Sequence, residues 1–162
     1  GANFRRDKGG SVTLVIRPAR PGDAPEAALL LEAAYAPWRA RLADLPDVAS
    51  GVDTEIARGP AWIAEADGRL AGIAIAEARD GIMHLANLAV APDAGGRGIG
   101  SALVRAVEAA TARRGISKMR LATHALMEGN VDFYERLGWR ETGRDGNKVL
   151  MARHLPSADE GG

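Results

Sequence analysis

The sequence predicts an α/β (α+β) domain with a central mixed, mostly antiparallel sheet of about seven strands and about four helices. Two features predict this fold. Asp67-Gly68 and Asp80-Gly81 separate short apolar runs, and such dipeptides are typical of tight antiparallel hairpins. The last of these runs, 82–90, leads into a glycine-rich turn and a helix with apolar residues at three- and four-residue steps. The strand after this helix is therefore expected to lie parallel to 82–90.

The chain before these hairpins is predicted to form one strand and two helices. The β-branched run 12–16 is the strand. Asp23 is expected to cap the first helix, with Glu26 three residues later completing a capping box. Pro37 is expected to stop or kink that helix. The second helix is expected between residues 46 and 59, which are a proline and a glycine.

The remaining elements complete a single domain over residues 11–155, with tails at 1–10 and 156–162. After the crossover helix, which begins near Ile99, a short helix is predicted at 130–137. Asp145-Gly146 is expected to form the turn of the last hairpin. The strands are predicted at 12–16, 61–66, 70–77, 82–90, 118–123, 139–142 and 148–151.

Composition disfavours several classes of protein. The 162 residues are 46% hydrophobic, enough for one compact core, and their formal net charge of +0 indicates no basic surface for nucleic acid. The absence of cysteine excludes disulfides, thiolate metal sites and a cysteine nucleophile. The three histidines are too scattered for a metal site, so no metal is predicted. No apolar run approaches the roughly 18 residues of a membrane span and no signal core is recognised, so a cytoplasmic protein without a membrane partner is expected.

The stretch from His84 to Gly100 predicts a binding site for an anion. It combines a buried strand, a turn with four glycines in six positions, and a helix start. Backbone N–H groups of such a turn and the positive end of the helix dipole both favour negative charge. A dinucleotide fingerprint would need glycine where Ser101 stands, and a P-loop would need lysine there. Both nucleotide interpretations are therefore disfavoured.

Two segments resemble the GNAT superfamily of acyl-CoA-dependent N-acyltransferases. The run from Leu88 to Pro92 (LAVAP), followed by 95–100 (GGRGIG), resembles motif A, although Gly95 stands where Arg or Gln is usual. The run from Asn130 to Trp139 (NVDFYERLGW) resembles motif B. The resemblance covers residues 12–154 and implies the GNAT fold, in which the sheet is split between its fourth and fifth strands.

The resemblance implies an N-acetyltransferase that moves the acetyl group of acetyl-CoA to a primary amine of a small molecule or peptide, by direct transfer in a ternary complex. It also suggests a homodimer. The alternative is a GNAT-like module that binds acyl-CoA or a protein partner without catalysis, because Gly95 departs from the motif and the general base is undetermined. An enzyme using S-adenosylmethionine or a nicotinamide dinucleotide is disfavoured by the glycine spacing.

The resemblance further implies which residues hold coenzyme A. The strand's main chain would pair with the pantetheine arm, much like an added strand, and the glycine loop would hold the diphosphate. Arg97 would bind either the diphosphate or the 3′-phosphate. Asn130 is interpreted either as a contact to the arm or as an N-cap. The predicted cofactor-binding residues are Leu88, Ala89, Val90, Gly95, Gly96, Arg97, Gly98, Ile99, Gly100, Ser101, Asn130 and Tyr134.

Two residues are predicted to move protons. By resemblance, the Tyr134 hydroxyl lies near the thioester sulfur and donates to the leaving thiolate; the alternative is that Tyr134 only packs within its helix. His84 is the candidate base, because its imidazole titrates near neutral pH and some family members carry a glutamate base at this position. Its alternative is an ordinary strand-end histidine, and Glu77 and His124 are further candidates for the base.

The amine acceptor is predicted to contact a helix end and two strands. The alternative for Tyr35 and Trp38 is a role in the apolar core. Arg39 would pair with a carboxylate of the acceptor. An asparagine on strand 82–90 would orient the acceptor. The predicted acceptor-binding residues are Tyr35, Trp38, Arg39, Asn87 and His124.

Overall fold

The computed structural model of the chain describes residues 2–5, 11–42, 49–94, 98–127 and 129–156. Within these residues the strands are β1 (Ala2–Arg5), β2 (Ser11–Pro18), β3 (Ala61–Ala66), β4 (Arg69–Arg79), β5 (Ile82–Val90), β6 (Lys118–His124), β7 (Arg140–Asp145) and β8 (Lys148–His154). The helices are α1 (Ala24–Arg39), α2 (Val52–Arg58), α3 (Ile99–Arg113) and α4 (Asn130–Arg136). Short 3₁₀ turns lie at Pro21–Asp23 and Pro92–Ala94.

The described strands form one mixed sheet in the order β1-β2-β3-β4-β5-β6-β8-β7. The pairs β1–β2, β2–β3, β3–β4, β6–β8 and β7–β8 are antiparallel. The pair β5–β6 is parallel and registers Met83 with Met119 and His84 with Arg120, both near the beginnings of their strands. The sheet is split at this pair. These findings confirm the predicted mixed, mostly antiparallel sheet and its four helices.

β1 is a strand that the sequence does not predict. Ala2 to Arg5 pairs with β2, with Ala2 opposite Leu14 and Arg5 opposite Ser11. These four residues belong to the segment 1–10 that the sequence sets apart as a tail. The strand is too short to show the alternation of apolar residues by which strands are recognised, and it depends on the β-branched neighbour with which it pairs.

The two central hairpin turns have the predicted geometry. Asp67 and Gly68 have φ values of 54° and 78°, and Asp80 and Gly81 have φ values of 52° and 76°. Positive φ at both central positions defines the type I′ turn, whose twist matches that of the flanking strands. The Asp-Gly dipeptides were therefore sufficient to place both hairpins.

The last hairpin turns one residue later than predicted. Asp145 pairs with Lys148 at the end of the β7–β8 ladder, so Gly146 and Asn147 form the turn. Gly146 supplies the positive φ of 58°. The predicted turn at Asp145-Gly146 is wrong by one position, because a glycine fits either central position of such a turn.

α1 begins after Asp23 as predicted, but the Asp23 side chain does not cap it. Its two carboxylate oxygens accept hydrogen bonds from the Arg17 guanidinium, each at 2.8 Å, and one also accepts the Arg20 N–H at 2.7 Å. Arg17 Nε also donates to Glu65 at 2.9 Å. The predicted capping box with Glu26 is wrong, because charge-assisted, bidentate bonds to arginine are stronger than a bond to one helix N–H.

Pro37 does not stop α1, which continues to Arg39. The Leu42 N–H donates to the Trp38 carbonyl at 2.7 Å and closes the end of the helix. A proline near a helix terminus removes one N–H donor, and the helix ends within a turn of it. α2 ends at Arg58 and is followed by Gly59, where φ is 59°, as predicted, whereas residues 46–48, at the start of the predicted helix, lie outside the described residues.

Contacts divide the chain into two compact units, 1–75 with 87–106 and 76–86 with 107–162. In the first unit, α1 and α2 pack on β3 and β4 around one apolar cluster. Its largest buried members each contribute about 1.5–3 kcal/mol through removal of apolar surface from water. They are Leu30, Leu31, Val52, Ile56, Ile63, Ile73 and Ile75.

In the second unit, β6 pairs with β5 on one side and with β8 on the other. The buried side chains of these strands are largely apolar, and α4 contacts β6 and β7. Trp139, between α4 and β7, is only 2% exposed. Among the described residues, no helix combines the length and apolar character required to cross a bilayer.

Candidate active site

The beginning of α3 carries backbone N–H groups that have no hydrogen-bond partner within the helix. Gly98 is exposed and has a φ of 73°, a conformation that favours glycine. The first intrahelical hydrogen bond joins the Ala102 N–H to the Gly98 carbonyl at 3.0 Å. The N–H groups of Ile99, Gly100 and Ser101 precede Ala102 in the chain and therefore have no acceptor within the helix. Gly95, Gly96 and Arg97 lie outside the described residues, so their roles stay predictions.

β5 reaches this helix start through a short connection. Leu88 and Val90 are half-buried and Ala89 is buried. The Ala91 N–H donates to the Ala71 carbonyl of β4 at 2.8 Å, so the end of β5 is tied to its neighbour. The main chain of β5 is thereby fixed just before the glycine loop.

Gly72, on β4, allows α3 to approach the sheet closely. A Cβ at this position would lie 2.9 Å from the Leu103 side chain, 3.2 Å from the Ile99 side chain and 3.2 Å from the Ala89 carbonyl. The first two distances involve the packed face of α3, which cannot easily withdraw. A glycine in a strand interior often marks such an approach, and this signal was present in the sequence but was not used.

A cavity of about 220 Å³ lies next to the last described residues before the loop. Its lining is contributed by the β3–β4 turn, the start of β4 and the 3₁₀ turn after β5. These residues are Ala66, Asp67, Arg69, Leu70, Ala71, Ala91, Asp93 and Ala94. The cavity therefore adjoins the segment that carries the predicted anion site.

Tyr35 of α1 and Asn87 of β5 lie in contact. The Tyr35 hydroxyl donates to Asn87 Oδ1 at 3.0 Å, in a half-buried position. Burial raises the pKa of Tyr35 above its usual value, and the positive charge of Arg39 partly opposes this. The structure therefore brings together two of the predicted acceptor-binding residues, and the phenol remains protonated at neutral pH.

The end of α1 carries further predicted acceptor-binding residues. Trp38 is half-buried, and the Arg41 guanidinium lies 5.4 Å from the centroid of its ring, within cation–π distance. Arg39 is exposed. The positive charge of Arg39 therefore acts on the Tyr35 hydroxyl.

His84 is half-buried near the start of β5, opposite Arg120 of β6. Burial lowers the pKa of His84, and the charges of Arg79 and Arg120 lower it further, against the opposing effects of Glu77 and Asp80. The imidazole is therefore neutral at pH 7 and able to accept a proton. Glu77, the alternative base, forms an ion pair with Arg79 at 3.6 Å.

Asn130 is the first residue of α4, and Gly129, with a φ of 84°, occupies the N-cap position. The interpretation of Asn130 as an N-cap is therefore wrong. Its Nδ2 instead donates to Thr123 Oγ1 at 3.0 Å, which ties α4 to the end of β6. Glycine takes the cap position because the chain there needs a left-handed residue.

Tyr134 is 8% exposed and is held by aromatic neighbours. Its ring lies 5.0 Å from the Phe133 ring in an edge-on arrangement and 5.7 Å from the Trp139 ring. The backbone N–H of Trp139 also donates to the backbone carbonyl of Tyr134 at 3.0 Å. Such ring pairs add about 0.5–1.5 kcal/mol each beyond the area that they bury, so the orientation of Tyr134 is well determined.

A buried polar group supports this aromatic cluster. Trp139 Nε1 donates to Glu108 Oε2 at 3.1 Å, and Arg153 Nε lies 3.3 Å from the same oxygen. A Cβ on Gly138, whose φ is 98°, would lie 2.5 Å from the Arg153 guanidinium. The carboxylate of Glu108, 7% exposed, is thus paired with a cation and an indole N–H.

His124, at the end of β6, accepts a hydrogen bond at Nδ1 from a nearby backbone N–H. The Leu126 N–H donates to this nitrogen at 3.1 Å. Within the part of the chain that the structure describes, no three His, Cys, Asp or Glu side chains are grouped so that they would hold a metal ion.

The family model for acetyltransferases of the GNAT family matches residues 27–139, well over half of the chain. The chain belongs to the GNAT acetyltransferase family. Acetyl-CoA is the co-substrate of this family, and an acetyltransferase is an enzyme of the acyltransferase class. No curated protein matches the chain.

Solved structures with the same fold span most of this GNAT chain. The PaiA N-acetyltransferase of Thermoplasma acidophilum, in complex with coenzyme A, is 20% identical with a TM-score of 0.76, over 88% of this chain and 99% of that one. The ribosomal-protein-S18-alanine N-acetyltransferase of Escherichia coli is 20% identical with a TM-score of 0.73, over 88% and 94%. The N-acetylglutamate synthase of Neisseria gonorrhoeae, complexed with coenzyme A and N-acetyl-glutamate, is 21% identical with a TM-score of 0.71, over 91% of this chain and 36% of that one. These likenesses confirm the predicted GNAT fold.

Sequence reasoning missed several residues that position this GNAT site. Thr123 and Glu108 were not singled out, and the bond between Tyr35 and Asn87 was not foreseen. Glu108 did leave a signal, because it is a charged residue four positions after Val104 on the apolar face of α3. Thr123 left none, since a threonine at a strand end is ordinary.

Proposed function

We propose that the chain transfers the acetyl group of acetyl-CoA to a primary amine of a small molecule or peptide, directly within a ternary complex. Membership in the GNAT acetyltransferase family supports the reaction class. The single observation that carries the proposal within the structure is the left-handed Gly98 at the exposed start of α3. The first N–H groups of the helix, which have no partner within it, would bind an anion such as a diphosphate.

The residues present fit coenzyme A. The N–H groups of Gly100 and Ser101 and the positive end of the α3 dipole would hold the diphosphate. The main chain of Leu88 to Val90 would pair with the pantetheine amides. A diphosphate, unlike a neutral ligand, gains from a helix start of this kind, and no cationic side chain is required for that gain.

The reaction requires the transfer of two protons. Acetyl-CoA supplies a thioester, whose acyl carbon forms a bond to the amine nitrogen while its C–S bond breaks. The amine loses one proton and the thiolate gains one. A primary amine resembling lysine has a pKa of about 10.4 and needs a base, whereas a thiol resembling cysteine, with a pKa of about 8.5, leaves with modest assistance.

Tyr134 and His84 are our proposed proton donor and acceptor. A tyrosine hydroxyl is able to donate to the thiolate sulfur, and the rigid surroundings of Tyr134 favour one orientation of its ring. The lowered pKa of His84 keeps its imidazole neutral and able to accept the amine proton, directly or through water. The Val90 N–H is proposed to donate to the thioester carbonyl oxygen.

Isothermal titration with acetyl-CoA tests the cofactor site. Gly98→Val should weaken binding at least about tenfold, because it adds a side chain at the diphosphate and strains a left-handed residue. Gly115→Val is the matched control, since Gly115 has a φ of 78° with open space around it and lies beyond the C-terminal end of α3. The control variant should retain wild-type affinity.

Two outcomes would contradict the proposal in different ways. If the wild type does not bind acetyl-CoA at hundreds of micromolar, the proposed cofactor site is wrong. Tight binding without release of thiol in the presence of any amine, amino acid, polyamine or peptide would instead indicate a module that binds acyl-CoA without catalysis.

A further inference from the structure

Tyr35 and Asn87, 52 positions apart in the chain, form a polar pair within one compact unit. The Tyr35 ring packs against the apolar cluster of α1, α2, β3 and β4, so its hydroxyl is held at a fixed place. That hydroxyl donates to Asn87 Oδ1 at 3.0 Å. The bond fixes the amide of Asn87, because the oxygen must face the phenol and Nδ2 must face away from it.

The pair retains unused hydrogen-bonding capacity. Asn87 Nδ2 makes no hydrogen bond to a described residue, and it is not one of the buried atoms without a partner, so solvent or a ligand reaches it. Tyr35 Oη has donated its proton and keeps a lone pair. The pair therefore presents two N–H donors and one acceptor within a half-buried site.

We propose that the Tyr35–Asn87 pair selects acceptors in which a carbonyl or carboxylate group stands next to the amine, that is, α-amino acids, their amides and peptides with a free α-amine. Asn87 Nδ2 donates to the carbonyl oxygen of the acceptor. Tyr35 Oη accepts an N–H of its neutral amine. This inference rests on the proposed acetyl transfer and names the class of its acceptor.

The position of Asn87 on β5 supports this role. Asn87 directly precedes Leu88, whose main chain begins the stretch proposed to hold the pantetheine arm. An acceptor held by Asn87 is therefore bound by the same strand as the arm. Asn87 Nδ2, which has no partner among the described residues, is thereby available to donate to that acceptor.

The charge of Arg39 favours an acceptor that carries a carbonyl group. Arg39 lies one turn after Tyr35 and its positive charge acts on the Tyr35 hydroxyl. A carbonyl dipole or a carboxylate placed at this hydroxyl is stabilised by that charge.

The test compares two matched amines in a thiol-release assay with saturating acetyl-CoA. Alaninamide carries the carbonyl group, 2-aminopropane lacks it, and spermidine serves as the polyamine. The variants are Tyr35→Phe, which removes only a hydroxyl, and Asn87→Asp, which preserves shape but replaces the Nδ2 donor with an oxygen of a negatively charged carboxylate. Asn147→Asp, in the exposed β7–β8 turn, is the control for an added carboxylate.

We expect the wild type to prefer alaninamide over both other amines. Asn87→Asp should lower kcat/KM for alaninamide about tenfold, mainly through KM, as the loss of a hydrogen bond of about 1.4 kcal/mol implies. Tyr35→Phe should have a smaller effect in the same direction, because the Asn87 amide is then free to rotate. Asn87→Asp should lower kcat/KM for alaninamide more than for 2-aminopropane, which has no carbonyl oxygen to receive the Nδ2 hydrogen bond, whereas Tyr35→Phe should affect both amines because its hydroxyl contacts the amine itself. The KM for acetyl-CoA should not change in either variant.

The inference fails if 2-aminopropane or spermidine is acetylated at least as well as alaninamide, while the proposed acetyl transfer then stands. It also fails if both variants lower transfer to all three amines equally, since the pair would then be structural. Failure of the wild type to acetylate any amine would overturn the proposed function itself, and this inference with it.

Discussion

Single side chains with a proposed chemical role are held in place by both neighbouring and distant residues of the sequence. Tyr134 is fixed by Phe133 and Trp139, and the latter is fixed by Glu108, 31 positions away. Asn130 is fixed by Thr123. The motif contains Tyr134, its two aromatic neighbours and Asn130, whereas Glu108 and Thr123, which hold Trp139 and Asn130, lie outside it.

Tyr134→Phe should lower kcat about tenfold and leave the Kd for acetyl-CoA unchanged. The ring and its aromatic contacts persist in the variant, while the proton for the thiolate is lost. The effect is expected to be small for an acid catalyst, because a thiol with a pKa near 8.5 leaves readily. Steady-state kinetics with titration of acetyl-CoA measures both quantities. Unchanged turnover across the pH range would exclude the acid role.

His84 should produce the acidic limb of the pH profile of kcat/KM. The pKa of His84 is lowered below 6.5, so the base is protonated and inactive at low pH and becomes active as pH rises through that lowered pKa. His84→Gln should abolish this limb and reduce kcat/KM about a hundredfold. His154→Gln, exposed at the end of β8, is the control. A limb that persists in His84→Gln but disappears in His124→Gln would transfer the role of base to His124.

At the scale of secondary structure, the start of α1 is fixed by a charged cluster rather than by a cap. Arg17 of β2 bonds Asp23, which directly precedes α1, and Glu65 of β3. The arginine hydrogen bond is the largest cause of the lowered pKa of Asp23, and Asp23 in turn raises the pKa of Arg17. The cluster thereby links three elements of the first unit.

Asp23→Asn should therefore destabilise the protein in a pH-dependent manner. Hydrogen bonds to charged groups contribute about 1.5–3 kcal/mol, so a loss of this order is expected at pH 7. Because the folded pKa of Asp23 lies below its unfolded value of about 3.9, the stability it supplies is complete above pH 3.9 and is lost as pH falls through the folded pKa. Urea unfolding between pH 7 and pH 3 measures the difference from wild type.

That difference should shrink toward the acidic end of the series. Asp132→Asn provides the control, because Asp132 is exposed on α4 and its side chain makes no ion pair with a described residue. A difference between Asp23→Asn and wild type that stays constant with pH would mean that the lost interaction does not depend on the carboxylate charge.

For the molecule as a whole, acetyl-CoA should raise the unfolding temperature. A ligand at about 100 times its Kd stabilises the native state by about 2.7 kcal/mol. For a chain of this length, 1 kcal/mol shifts the Tm by about 2–4 °C, so a shift of about 5–10 °C is expected. Thermal unfolding followed by circular dichroism measures it. NAD should produce no comparable shift, and an equal shift with NAD would favour a dinucleotide site instead.

Much of the fold follows from local sequence signals. The Asp-Gly turns, the exact span of β5 and the helix that follows the glycine loop were all predicted, since each depends on the conformational preferences of adjacent residues. β1 was not predicted, because a short strand forms only by pairing. The turn of the last hairpin was misplaced by one residue, because Gly146 suits either central position.

The sequence by itself determined the family and, apart from β1, the order of the elements, because backbone conformation and hydrophobic periodicity are set over a few adjacent residues. Only the tertiary structure decided which side chains meet. Tyr35 bonds Asn87, and Trp139 bonds Glu108. The Asp23 side chain accepts hydrogen bonds from Arg17 and does not cap α1. These contacts join residues distant in the chain, and their partners are chosen by packing and burial, which no local pattern specifies.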